Sequence, residues 1–308
     1  MDAAPLLTPR TAPAPAGPDE GTAAEQAVRR DLAAAYRLVA LFGMDDGIYT
    51  HISARLPGRH DQFLINRFGM LFRDITASSL LKVGLDGEIV EDAGRSTAQG
   101  GVSSGGRSHA RSEGYSGVAL GAPSDAPPDA PPDVNPAGFT IHSAIHAARP
   151  DAACVLHTHT VAGVAVASLA DGLQPCNQWA LQFHDRVRYH DYEGIALDHD
   201  ERERLVADLG PTARVLILRN HGLLTVGRTV AEAFILMHNL ERACRVQMAI
   251  QATGLPVHPV PDAVCERTAR QYDSGDSNRV AGQPDPDHRE WQALLSRLGP
   301  APTTSYLE

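Results

Sequence analysis

Two histidines two residues apart, His157 and His159, close the apolar run Cys154-Val155-Leu156. Side chains alternate along a strand, so residues i and i+2 point to one face and the two imidazoles converge on one point. Neutral imidazole is a common ligand for zinc and other divalent transition metals. A second strand-like run, residues 213–220, leads directly into His221 and Gly222. In a chain with 14 histidines a bare His-x-His pair carries little weight. The shared position at strand ends and the matching third histidine make His157, His159 and His221 a candidate ligand set. Three nitrogens occupy three corners of a tetrahedron and leave one position for substrate, the pattern of catalytic and not of closed structural sites. The expectation is one divalent metal, zinc first with iron or manganese as alternatives, polarising a carbonyl or activating a water.

The chain around these residues has the composition of an ordinary globular protein, 43% apolar and 21% charged over 308 residues. A net charge of −10 argues against nucleic acid or an anionic membrane as partner, because binding phosphates requires a basic face. A small-molecule substrate is the partner expected. Cys154, Cys176, Cys244 and Cys265 are scattered with no Cys-x-x-Cys spacing, which suggests neither a cysteine-rich zinc site nor a disulfide framework. Reduced thiols fit a cytoplasm. No basic segment followed by an apolar one opens the sequence, and no window approaches 18 apolar residues, so neither export nor a membrane span is expected.

Periodicity supplies the elements that must hold the histidines. Residues 1–21, rich in Pro, Ala and Thr, read as a disordered tail. Val28, Leu32, Tyr36 and Val39 mark an amphipathic helix ending near Gly43. Residues 48–55 and 62–66 predict one hairpin, and 81–83 with 88–90, joined by Asp86-Gly87, a second. Pro, Gly, Ser and Asp dominate 93–133, a surface insertion by composition. Helices are predicted over 135–148, 161–169, 198–209 and 230–253, and strands at the His157 run, 187–189, 213–220 and 223–226. Residues 258–308 form a C-terminal extension, loosely ordered beyond Pro261, with one helix over 287–298 packed on the core.

The ordered motifs Thr50-His51-Ile52-Ser53, Phe63-Leu64-Ile65-Asn66, Ala137-Gly138-Phe139-x-x-His142, Arg149-Pro150-Asp151-Ala152, His157-Thr158-His159 and Asn220-His221-Gly222 resemble the class II aldolase/adducin family. The resemblance spans residues 25–255, about three quarters of the chain, and delimits a domain over 22–257. It implies an α/β fold, a three-layer α/β/α domain with a mainly antiparallel central sheet, commonly assembled as a homotetramer with sites near subunit interfaces. It also carries metal-ligand roles onto His157, His159 and His221.

The departures from that family are specific. Its sugar-phosphate aldolases place an acid/base glutamate where this chain has Gly138. Their phosphate-binding motifs fall here on residues 50–53, Phe68-Gly69 and Pro136-Ala137, and most of the donors that a phosphate needs are missing. A tyrosine lent by a neighbouring subunit in some aldolases falls at Gln178 or Trp179. The motif wording resembles the adducin-like branch, which includes a cytoskeletal protein.

Candidates for the missing base are His51, His142 and His146, the last two one helical turn apart; each has the plainer alternative of a histidine satisfied by its neighbours. Arg67 and Ser53 are candidate substrate contacts, Arg67 as a bidentate partner for a carboxylate or else as a surface salt bridge. The function expected is a metal-dependent lyase, by aldol cleavage or decarboxylation, acting on a small unphosphorylated hydroxy- or keto-acid or aldehyde. Two alternatives are a mononuclear non-heme iron oxygenase on the same histidines and a non-catalytic adducin-like interaction module. A retained three-histidine set weighs against the last, since a scaffold has no need of an open site.

Overall fold

A computed structural model describes residues 18–91, 133–196, 199–274, 286–299 and 305–308. Most of the tail expected over 1–21 and all but the last residue of the insertion expected over 93–133 lie outside the described residues. Eight strands form one sheet in the order β4-β3-β2-β1-β5-β8-β7-β6. They are β1 (His51–Arg55), β2 (Gln62–Ile65), β3 (Leu81–Gly84), β4 (Ile89–Glu91), β5 (Cys154–Thr158), β6 (Val187–His190), β7 (Val215–Leu218) and β8 (Gly222–Gly227). Every neighbouring pair is antiparallel except β6 and β7. That parallel pair needs a crossover, supplied by the helix between its strands.

Both expected hairpins are present, and the helices divide between the two faces of the sheet. On one face α1 (Pro18–Leu41), α3 (Val161–Ala167), α6 (Val230–Gln251) and α8 (Pro286–Leu295) close the larger core, in which Tyr36, Phe234 and Trp291 pack against Ile52, Cys154 and Leu156. On the other face α2 (Pro136–Ala148) and α5 (His199–Leu209) place Ile141, Ile145, Leu205 and Leu209 on Val155, Leu216 and Leu224. This is the three-layer α/β/α arrangement. Burying each such side chain stabilises the fold by about 1.5–3 kcal/mol relative to exposure.

Strand alternation then decides the placement of the site. Cys154 and Leu156 point to the α6 face and Val155 to the α2 face, so His157 lies on the α2 side. On β1, Ile52 and Ala54 likewise take the α1 face. His51, Ser53 and Arg55 are therefore left beneath α2.

Three details differ from the sequence reading. Helix α1 starts at Pro18, ahead of the expected boundary at residue 22. A short helix, α4 (Gln178–Leu181), begins at Asn177, whose side chain accepts the Ala180 N–H. Directly after Pro261 a helix that the sequence reading did not expect, α7 (Asp262–Ser274), buries Cys265 and Ala269, one turn apart, and ties Glu266 and Asp273 to Arg186. Its narrow apolar stripe is hidden among charged residues, which is why periodicity missed it. The last predicted helix is present as α8, continued by a 3₁₀ turn over Ser296–Leu298. Among the described residues no helix is long and apolar enough to cross a membrane.

Candidate metal centre

Two strand ends and one tight turn bring the three histidines together. His157 is the penultimate residue of β5 and pairs in register with Leu224 of β8. His159 lies between the strand and Thr160, whose hydroxyl caps α3 by accepting the Gly163 N–H. The link from β7 to β8 is residues 219–221, where Asn220 takes the left-handed conformation, φ 58°, that Asn tolerates better than most residues. That turn delivers His221 to the mouth of the strand pair. At Gly222 an added Cβ would stand 2.3 Å from the Thr158 carbonyl oxygen. Only glycine lets the two strand ends approach this closely.

The Nε2 atoms of His157 and His159 are 2.8 Å apart, and those of His159 and His221 are 3.0 Å apart. His157 Nδ1–H donates to the Leu223 carbonyl at 2.9 Å, and His159 Nδ1–H donates to the Asp46 carboxylate at 3.0 Å. With those protons on Nδ1, the neutral rings turn bare lone pairs toward one another, an arrangement that repels unless a cation sits among them. The donor set therefore fits a divalent metal of the zinc type. Burial, followed by the neighbouring histidines His221 and His159, holds His157 well below the ordinary histidine pKa. Burial, followed by His159 and His190, pushes His221 down to about 4. Both rings are neutral at physiological pH, the state that ligates metal.

Beside this triad lies a second cluster. His51 is paired in register with His157, with ring centroids 5.2 Å apart. His51 Nδ1 is 2.7 Å from His142 Nε2, His142 Nδ1 is 2.5 Å from Ser53 Oγ, and Ser53 Oγ is 2.7 Å from His146 Nε2. His146 Nδ1 ends the series at the Ala152 carbonyl, 3.0 Å away. The three candidate bases and Ser53 are thus one connected group. Ser53 and His142 have no exposed surface and His146 has 1%, while His51 keeps 3%. Burial lowers the pKa of all three histidines, that of His146 to about 3. Arg67 pairs with Asp133 at 2.8 Å, so in this structure its carboxylate partner is internal.

Sequence reasoning missed Asp46, the carboxylate behind His159; its only signal is the turn-forming Asp45-Asp46-Gly47 after the first helix. It also missed a cleft beside His221. There His190, Tyr192, Glu193, Glu201 and Arg219 line the wall. His190 sits between Asp208, 2.7 Å from Nδ1, and Glu201, 3.5 Å from Nε2, and these carboxylates raise its pKa despite burial. Tyr192 places its ring 6.3 Å from that of His221.

The family model described as Class II Aldolase and Adducin N-terminal domain matches residues 30–248. The chain belongs to the class II aldolase and adducin family. It is 43% identical over 277 residues to a candidate aldolase class 2 protein of Pseudomonas aeruginosa, covering 90% of this chain and 91% of that one. With the alpha-adducin of Mus musculus it shares 43% identity over 230 residues, which is 75% of this chain and 26% of the adducin. Among solved structures, the aldolase II superfamily protein from Pseudomonas syringae aligns at 44% identity with a TM-score of 0.73, covering 94% of this chain and 98% of that one. The L-fuculose 1-phosphate aldolase from Glaciozyma antarctica aligns at 25% identity and a TM-score of 0.66, with 93% of each chain covered. Class II aldolases typically use a divalent metal, act on small molecules and are commonly oligomeric. In this member of the family, Gly138 leaves the space beside the triad to His51, whose imidazole would meet a Cβ at 2.5–2.9 Å.

Proposed function

We propose that this chain is a metal-dependent carbon–carbon lyase, acting by aldol cleavage or decarboxylation on a small unphosphorylated hydroxy- or keto-acid or aldehyde, and working as a homotetramer. The observation that carries the reading is the convergence of three Nε2 atoms, on His157, His159 and His221, beside the ring of His51. A divalent cation held there, zinc first and iron or manganese as alternatives, supplies Lewis acidity toward a substrate carbonyl. Asp46 and the Leu223 carbonyl orient two of the ligands, and such supporting bonds raise ligand basicity. His51, the least buried of its cluster, is the group we assign to proton transfer.

The case against a phosphorylated substrate rests on donors already in use. Helix α2 begins at Pro136, which has no N–H, and the Asn135 side chain takes the N–H groups of Ala137 and Gly138 at 3.1 and 3.3 Å. This helix start has few free donors to offer an anion. The 43% identity to alpha-adducin favours a non-catalytic module as the second reading; the convergent lone pairs weigh against it.

Metal analysis and kinetics on the wild type and on His159→Ala test the proposal. The wild type should purify with one divalent metal per chain, and the variant should lose it while keeping its fold. Full metal occupancy in the variant would refute the ligand assignment. Iron as the native metal, with dioxygen consumed in a substrate screen, would replace the lyase by an oxygenase. Cleavage of a sugar phosphate should be negligible, because losing a positioned acid/base carboxylate typically costs about 10²–10⁴ in rate.

A further inference from the structure

We infer that Ser53, His142 and His146 form a one-directional hydrogen-bond chain that holds His51 in its Nδ1–H tautomer and presents a bare Nε2 to the site. They are positioning residues, not substrate contacts. Each neutral imidazole has one N–H and one lone pair, and a serine hydroxyl has a single hydrogen. The end of the chain sets its direction. The Ala152 carbonyl has no hydrogen to give, so His146 Nδ1 carries the proton at 3.0 Å. Its Nε2 is then an acceptor and takes the hydroxyl hydrogen of Ser53 across 2.7 Å. With that hydrogen committed, Ser53 Oγ accepts from His142 Nδ1 at 2.5 Å. His142 Nε2 is left bare and accepts from His51 Nδ1 at 2.7 Å. One lone pair remains, on His51 Nε2.

Reversing any single link would set two hydrogens or two lone pairs face to face. Adding a proton instead would bury a cation among side chains at most 3% exposed. It would also lie near Arg55, whose guanidinium donates to the His146 carbonyl and to that of Arg149 at 3.2 Å. The remaining Nε2 faces the notch left by Gly138, where a Cβ would stand 2.8 Å from it. Because the chain ends on a carbonyl, it has no exit through which a proton could pass to solvent. It orients His51 and does not relay. Under the lyase reading, on which this use of the ring rests, Nε2 is the acceptor for a substrate hydroxyl.

Two-bond ¹H–¹⁵N correlation spectra of the full chain, labelled in histidine and supplied with one equivalent of zinc, read the tautomers directly. In the wild type His51, His142 and His146 should each carry the proton on Nδ1, and a proton on His51 Nε2 would overturn the inference. In Ser53→Ala the link is cut, so His51 should show both tautomers, while Ser53→Thr should restore the wild-type pattern. An unchanged His51 in Ser53→Ala overturns the coupling. Should that variant fail to fold, the wild-type spectrum decides alone. Metal stoichiometry separates the two readings: the expected tautomers in a protein that binds none of zinc, iron or manganese would end the lyase proposal and leave the chain standing.

Discussion

Gly138 and His51 compete for the same few cubic ångströms beside the triad. An alanine at 138 would bring a methyl carbon to 2.5 Å from His51 Cδ2 and 2.8 Å from Nε2, distances at which the ring must move. Overpacking of this kind costs about 1–3 kcal/mol, whereas replacing a helical glycine by alanine gains about 1 kcal/mol of helix propensity. The net stability change of Gly138→Ala should therefore be small. Displacement of the ring has no such offset at the site, so turnover should fall at least tenfold while the melting temperature moves by only a few degrees. Unchanged turnover would show that His51 takes no part in the reaction. The metal ligands show the same dependence on a neighbour's position, since the Asp46 carboxylate determines which nitrogen of His159 faces the centre.

Among the elements, α8 shows how a remote segment supports the sheet that carries the ligands. Its Trp291 is 3% exposed, lies 5.8 Å from the ring of Phe234 on α6, and donates its indole N–H to Asp31 on α1 at 3.2 Å. Truncating a buried Trp to Ala costs about 3–5 kcal/mol, and a domain of this size loses about 2–4 °C per kcal/mol. Trp291→Ala should lower the melting temperature by about 10 °C in calorimetry, and a change under about 2 °C would mean that α8 does not hold α1 and α6 together. Helix α8 was legible beforehand because Trp291, Leu294 and Leu298 recur at helical spacing. Helix α7 was not, because Cys265 and Ala269 form a two-residue stripe within a segment dominated by charge.

For the molecule as a whole, the distribution of apolar surface points to assembly. Val161, two residues beyond His159, is 89% exposed and Tyr192, beside His221, is 54% exposed. Large apolar side chains crowding the mouth of a polar site are characteristic of a surface that a partner covers. A second copy of this chain is the natural occupant in a family whose members are commonly oligomeric. Sedimentation velocity at micromolar concentration should show a tetramer, and Val161→Glu should shift it toward smaller species. A wild-type chain that sediments only as monomer would count against the assembly.

The alternation of β5 and the apolar runs before His157 and His221 were enough, without coordinates, to place three imidazoles at strand ends, because a period of two leaves little choice of face. The family motifs carried the layer order for the same local reason: each lies within one strand, helix or turn. Contacts between elements were not accessible in that way. That Ser53 lies between His142 and His146, that Ala152 closes their hydrogen-bond series, and that Asp46 reaches across 113 residues to His159 depend on how α2 and the loop after α1 settle on the sheet. Periodicity gives the face of a side chain, but the identity of its hydrogen-bond partner is decided only when two faces meet.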